Sequence, residues 1–388
     1  MASRPHTASL IEDAWHRRIT SLLHERGWRT QAIGHTGYGT PERVRVLGRI
    51  KMARPGDEST QASPHRDDAV RALRGEERDR GWRSFATPPP AANAPVTIRL
   101  GDKAVEARTD RGGYVDVWVE QPGLDAGWHT ATIESPDSDP ADAPVLIIGP
   151  ETKYGIVSDI DDTVISTMLP RAMIAAWNTF VVHSSTRRAV PGMAPLYREL
   201  QERYPGAPVI YLSTGAWNTF QTLTQFLSRH GFPLGPLLLT DWGPTNTGWF
   251  RSGQEHKRAN LRRLWQDFPD IHWLLVGDDG QHDPKLYSDF AEDHPDVVEL
   301  IAIRELTPAE QVLSHGIPVS NEELQPIERI NATTPVYRAP DGYGLAQRLR
   351  SAFHAGDAGA HHHPEVEESA AHAEAVAAQP GRDDQNPL

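Results

Sequence analysis

The chain has 388 residues, enough for two domains and tails, and 38% of them are hydrophobic, which suffices for a core with room for unstructured segments. A formal net charge of -13 argues against general nucleic-acid binding, where a basic face supplies most of the affinity. The absence of cysteine excludes disulfides, thiolate metal sites and thiol nucleophiles, and leaves the redox compartment open.

Met1 to Thr7 is polar and charged, without the apolar core of a signal peptide, and no apolar run is long enough to span a bilayer. The expectation is a soluble, cytoplasmic protein. Leu10 to Arg26 reads as an amphipathic helix within an N-terminal segment 1–34. Ile11, Trp15, Ile19, Leu22 and Leu23 share one face, and Gly27 is its stop. Arg17, Arg18 and Arg26 flank that face. Surface helices usually bury their apolar stripe on a neighbouring domain, and peripheral contact with a membrane is the other reading.

Arg43 to Ile50 alternates charged and apolar residues, as a strand does. Pro55 to Pro64 is loop-like, and Asp67 to Arg83 is dense in charge, as a solvated helix or a loop. Residues 96–134 read as a β-meander punctuated by Gly101-Asp102, Gly112-Gly113 and Pro122-Gly123. Residues 35–145 are therefore expected to form a small β-rich, sandwich-like domain, with nothing catalytic in it.

From Pro144 strands alternate with helices. The strand candidates are Gly155 to Ser158, Val209 to Leu212, Leu237 to Thr240, Trp273 to Val276 and Val297 to Ile303. Between them, Met193, Leu196, Tyr197 and Leu200 mark one helix, Phe220, Leu223 and Leu227 a second closed by Gly231, and Leu261, Leu264, Trp265 and Phe268 a third. Near-continuous apolar strands with amphipathic helices between them predict an α/β domain over residues 146–345, a doubly wound parallel sheet with its ligand site beyond the C-terminal strand ends. Residues 355–388 are Ala, His, Gly, Glu and Asp with few large apolar side chains, and read as a disordered acidic tail. His361 to His363 within it has no ordered surroundings to make a functional metal site.

Acidic residues gather at those strand ends. Asp159 and Asp161 follow the first strand, Ser213 and Thr214 the second, Asp241 the third, and Gly277-Asp278-Asp279-Gly280-Gln281-His282-Asp283 the fourth, while Lys257 opens a helix. Buried acids lose solvation and repel one another, so a cation is the simplest compensation. Singly, each residue has a plainer reading. Asp162 or Thr163 would cap a helix, Ser213 would cap a strand end, Lys257 would sit on a basic surface, and the Gly277 to Gly280 run would be a turn. In this order on one alternating pattern they suit metal-assisted phosphoryl transfer. Carboxylate oxygens would hold Mg²⁺, one carboxylate would serve as nucleophile, and a second would move protons.

Asp159-Ile160-Asp161-Asp162-Thr163 resembles the Asp-x-Asp-x-Thr motif of the haloacid dehalogenase superfamily of phosphohydrolases, and Ser213, Lys257 and the Gly277 to Asp283 run match its later motifs in order. With Val190-Pro191-Gly192-Met193, His256-Lys257 and Asp283-Pro284, residues 144–315 resemble more closely the yeast actin-patch-associated phosphatidate phosphatase family, whose catalytic domain is related to the lipins. The resemblance implies a haloacid-dehalogenase-like Rossmannoid fold with a small cap. It implies a Mg²⁺-dependent hydrolase that turns phosphatidate, or a similar phosphomonoester, into its alcohol through an aspartyl-phosphate.

The same resemblance assigns roles. Asp159 is nucleophile and metal ligand. Asp161 is acid and then base, offering its backbone carbonyl to the metal. Ser213 bonds the phosphoryl oxygens, with Thr163, Thr214 and Gly215 in the substrate-binding set, and Lys257 steadies nucleophile and transferred group. Asp278 completes the metal site, supported by Asp283 or Asp279. Members that only bind lipid are expected to lack the second acid, which this chain has. The cap position holds Met168 to His183, with Leu169, Met173, Trp177, Phe180 and Val181 as an apolar stripe, read as a wall or membrane-facing lid or as a helix packed on the core. Arg187 and Arg188 would meet an anionic head group or decorate the surface. The rival functions are a peripheral lipid-binding module with little turnover and a phosphatase of soluble phosphomonoesters. A small cap weighs against the latter, since soluble substrates are usually enclosed.

Overall fold

The computed structural model describes residues 22, 23, 25–54, 89–166, 188–240, 253–280, 282–315 and 334–360. Pro55 to Pro64, Asp67 to Arg83, Met168 to His183, Arg187, Asp241, Gln281 and the His361 to His363 run lie outside them, as does most of the Leu10 to Arg26 helix. The chain divides into two compact units, residues 1–345 and 346–388.

Leu22, Leu23 and Glu25 are helical, and Gly27 takes a φ of 79°, the left-handed stop that glycine accepts without strain. The chain then enters strands β1 (Arg29–Gly39), β2 (Arg43–Ala53), β3 (Pro95–Leu100), β4 (Lys103–Arg108), β5 (Tyr114–Glu120), β6 (Gly127–Glu134) and β7 (Ala141–Ile147). β1 thus opens ahead of residue 35. These strands form one hydrogen-bonded sheet, not two, in the order β4-β3-β6-β7-β1-β2-β5. All its pairs are antiparallel except β1 with β7.

Nor is 96–134 a simple meander. β5 leaves its sequence neighbours to pair with β2, where Val44 faces Val119, Val46 faces Val117, and the Arg45 guanidinium forks onto the Asp116 carboxylate at 2.7 Å. Alternation puts Val96, Ile98, Leu100, Ala131, Ile133, Val145 and Ile147 on one face, where they share a core with Val44, Val46 and Ile50.

The α/β part supplies β8 (Tyr154–Ser158), β11 (Val209–Ala216), β12 (Leu237–Thr240), β13 (His272–Asp278), β14 (Val298–Arg304) and β15 (Val336–Ala339). They form one parallel sheet in the order β12-β11-β8-β13-β14-β15. The short β9 (Ile165–Ser166) and β10 (Arg188–Ala189) pair separately. The parallel α/β expectation holds, and β15 is a strand that the sequence pattern did not show. Connections step one way from β8 through β11 to β12, then return to β13 and step the other way. That reversal leaves a crevice beyond the C-terminal ends of β8 and β13.

The helices are α1 (Met193–Arg203), α2 (Phe220–Arg229), α3 (Gly253–Asp267), α4 (Asp283–Asp293), α5 (Pro308–His315) and α6 (Gly342–Ala360). α1, α2 and α3 bury Leu196 and Leu200, Leu223 and Leu227, and Leu261 and Leu264, as their spacing requires. α6 runs past Ala355 to Ala360, so the first residues of the expected disordered tail are helical. Gly192 (φ 75°) turns the chain into α1 where Gly342 approaches backbone to backbone. A Cβ on Gly192 would lie 2.3 Å from the Tyr343 backbone nitrogen, which with the positive φ accounts for glycine in Val190-Pro191-Gly192-Met193.

The two sheets are not separate beads. Tyr38 and Ile148 belong to the same buried cluster as Leu264, Phe268 and Trp273 of the α/β part. Tyr38 lies 6.0 Å from the Phe268 ring, and Arg43 pairs with Asp267.

Candidate active site

β8 is buried through Ser158, and the chain leaves it as a tight loop. Asp159 N–H bonds the Val276 carbonyl of β13 at 2.9 Å, and both Val164 N–H and Ile165 N–H return to the Ile160 carbonyl. Asp162 makes the turn with a φ of 58°, a left-handed conformation that aspartate tolerates better than most side chains. Behind the loop Ser158 Oγ lies 2.6 Å from the buried Tyr197 hydroxyl of α1.

The turn separates the two acids. Asp159 is 1% exposed and accepts from Lys257 Nζ at 2.7 Å. Asp161 is half-buried, and its Oδ2 accepts from Ser213 Oγ at 3.0 Å, while Ser213 Oγ itself accepts from Gly215 N–H at 2.9 Å. Lys257, from the buried side of α3, also donates to Asp283 Oδ1 at 2.6 Å. Asp283 opens α4 and is followed by Pro284, a residue suited to a first helical turn. Asp278 ends β13, accepts from Gly280 N–H at 2.7 Å and faces the Thr163 hydroxyl at 3.4 Å.

Asp159, Asp278 and Asp283 offer carboxylate oxygens that all lie within 4.8 Å of one another. Burial raises the Asp159 carboxyl well above its usual value. Lys257 works against this, and the neighbouring Asp283 and Asp161 add to it. Burial likewise raises Asp278, reinforced by Asp283 and Asp159. Burial pulls the Lys257 ammonium down, but Asp159 and Asp283 more than offset that and keep it charged. One ammonium cannot balance these acids. Asp159 Oδ2 and Asp283 Oδ2 are buried without a hydrogen-bond partner. Unpartnered carboxylate oxygens beside a third carboxylate are the donor set of a hard divalent cation, and these residues fit such an ion.

The structure brings Asp159, Asp161, Ser213, Lys257, Asp278 and Asp283 together. Asp161 lies outside the carboxylate cluster of Asp159, Asp278 and Asp283. Between the two candidates for supporting Asp278, Asp283 faces the cluster, whereas Asp279 Oδ1 accepts from Leu306 N–H at 2.8 Å. Thr163 is fully buried against Asp278. Thr214 and Gly215 are half-buried, and their carbonyls accept from Thr240 Oγ1, which ties this turn to β12. Sequence reasoning missed Arg304, whose Nη1 donates to the Asp162 carbonyl at 2.7 Å. The available signal was a lone arginine at the C-terminal end of an apolar strand.

Comparison with known proteins converges on this segment. Residues 154–305 match the family described as phosphatidate phosphatase APP1, catalytic domain. Phosphatidate phosphatase APP1 of Saccharomyces cerevisiae is 28% identical over 176 residues, covering 45% of this chain and 30% of that protein. An uncharacterized protein of Schizosaccharomyces pombe is 24% identical over 152 residues, covering 39% of this chain and 25% of that one. The chain thus spans less than a third of each of these relatives. A carbohydrate acetylesterase structure from Xanthomonas citri aligns over 72% of this chain and 70% of its own, at 10% identity and a TM-score of 0.25, too slight a likeness to bear on the fold. Residues 154–305, the segment that carries the acidic site, are thus similar to the catalytic domain of the APP1-like phosphatases.

Proposed function

We propose that the chain is a Mg²⁺-dependent phosphatase with a haloacid-dehalogenase-like catalytic fold, converting phosphatidate to diacylglycerol through a phosphorylated Asp159. The observation that carries the reading is the division of labour between Asp159, buried on Lys257, and Asp161, half-buried on Ser213.

Asp159 attacks phosphorus with one carboxylate oxygen while Lys257 Nζ holds the other. The phosphorus–oxygen bond to the glycerol breaks, and Asp161 gives its proton to the departing alkoxide. Diacylglycerol leaves. Asp161, now a carboxylate, takes a proton from water as that water attacks the phosphoryl group on Asp159. Inorganic phosphate departs and the Asp159 carboxylate returns. Ser213 keeps Asp161 at the phosphoryl group, while Ser213, Thr214 and Gly215 line the turn that receives its oxygens. Asp159, Asp278, Asp283 and the Asp161 carbonyl would hold the Mg²⁺, which supplies positive charge against the phosphoryl oxygens.

No described helix is long and apolar enough to cross a membrane. Peripheral contact with the surface that presents the lipid belongs to this proposal. Acid quenching during turnover of ³²P-labelled phosphatidate tests the covalent step. Label on the peptide containing Asp159, released by hydroxylamine, is the expected result. Turnover without any labelled protein would contradict it.

A further inference from the structure

Arg304 ends β14 and is 5% exposed. Its guanidinium is used on every side. Nη1 donates to the Asp162 carbonyl at 2.7 Å, Nη2 to Glu310 Oε1 at 2.6 Å, and Nε to the Pro340 carbonyl at 3.2 Å. Asp162 is the left-handed residue between Asp161 and Thr163, so its carbonyl direction fixes how the chain passes from the one to the other. Glu310 of α5 also accepts from Ser166 Oγ at 3.3 Å, at the far end of the same loop, and is held by Thr307 N–H and Oγ1 at 2.9 Å. The Arg304 carbonyl accepts from Asp279 N–H at 3.0 Å, next to Asp278. One buried arginine and its glutamate therefore grip both ends of the Asp161 to Ser166 loop and touch the backbone beside the other acidic motif.

We propose that Arg304, braced by Glu310, is a positioning residue that fixes the Asp161–Asp162–Thr163 backbone so that the Asp161 carboxyl meets the leaving-group oxygen. This rests on the phosphatase reading, in which Asp161 is the acid. A planar fork that bonds a carbonyl and a carboxylate at once is a task for arginine, and lysine reproduces it only in part. Small misplacements of a proton donor cost rate rather than affinity, by as much as about 100-fold.

The test uses the leaving group. An alkoxide such as diacylglycerol needs the proton from Asp161, whereas p-nitrophenolate leaves without it. Single-turnover release of each leaving group is measured for the wild type, Arg304→Met, Arg304→Lys and Glu310→Gln, after melting curves establish which are folded. Arg304→Met is expected to slow diacylglycerol release on the order of 100-fold and p-nitrophenol release less than about 5-fold, with KM little changed. Arg304→Lys and Glu310→Gln are expected to show the same inequality at about 10-fold, and they decide the matter if Arg304→Met does not fold. Equal losses on both substrates, a change confined to KM, or full activity in the folded variants would overturn the role of Arg304 alone. A wild type that releases neither leaving group would overturn the phosphatase reading and this role with it.

Discussion

At the scale of residues, three buried carboxylates gather beside one lysine that pairs with two of them, and their surplus negative charge is what makes the site receptive to a cation. Asp159 and Asp161 sit two positions apart yet differ in burial and partner, which suits one to attack and the other to move protons. Asp159→Asn and Asp161→Asn should each leave a folded protein, by circular dichroism and melting, and each reduce phosphate release at least about 1,000-fold; appreciable turnover in either would contradict its assigned role.

Gly277 gives a subtler test. A Cβ there would lie 2.7 Å from Asp283 Oδ2 and 2.8 Å from the Tyr287 ring. Gly277→Ala should therefore push Asp283 off Lys257. The expected cost is about 2 kcal/mol in denaturant unfolding, with a loss of turnover beyond what reduced stability explains. Asp159 and Asp278 were legible because the sequence delivers each at the end of an apolar run. Arg304 was not, since its meaning comes from a carbonyl on another strand end, and no local pattern records that. Asp279 and Asp283 are alike in sequence, and only the opening turn of α4 points one of them at Lys257.

At the scale of elements, the turn after β11 links the catalytic strand ends to the β-rich sheet. Beyond Ser213 the chain makes a short 3₁₀ turn at Trp217–Thr219, and the Trp217 ring stacks on His35 of β1 at 4.8 Å with an interplanar angle of 3°. Phe220 closes on His35 from α2 at 4.2 Å. Burial, helped by Arg49, pushes His35 down to about 3. The unfolded chain, with histidine near 6.5, then binds more protons than the folded one at mildly acidic pH, so stability falls as pH drops through that value. From pH 7 to pH 5 this histidine alone should remove about 2 kcal/mol. His35→Phe keeps an aromatic ring in the stack and cannot titrate, so its unfolding free energy should decline about 2 kcal/mol less over that range; parallel curves for the two proteins would contradict the argument.

Period and apolar runs revealed β8, β11, β12, β13 and β14, because strands buried on both faces announce themselves. β15 stayed hidden because Val336–Ala339 is short and mostly half-buried. The partner of β5 was equally invisible, since pairing across a sheet is a long-range choice that alternation does not encode.

At the scale of the whole molecule, the β-rich sheet and the α/β part share a buried cluster through Tyr38 and Ile148, and the sheet braces the turn that follows Ser213. The sheet order puts the acid loop, the Ser213 turn and the Asp278 strand end side by side at the reversal between β8 and β13. That arrangement is the one the proposed phosphoryl transfer requires.

The most direct measurement is phosphate release from phosphatidate in mixed micelles, beside a panel of soluble phosphomonoesters, with Mg²⁺, with chelator, and with Asp161→Asn as the blank. The account predicts release from phosphatidate in preference to the soluble esters, abolished by chelation and by the substitution. Turnover confined to soluble esters would contradict the lipid substrate, and no turnover from folded protein would contradict the phosphatase itself.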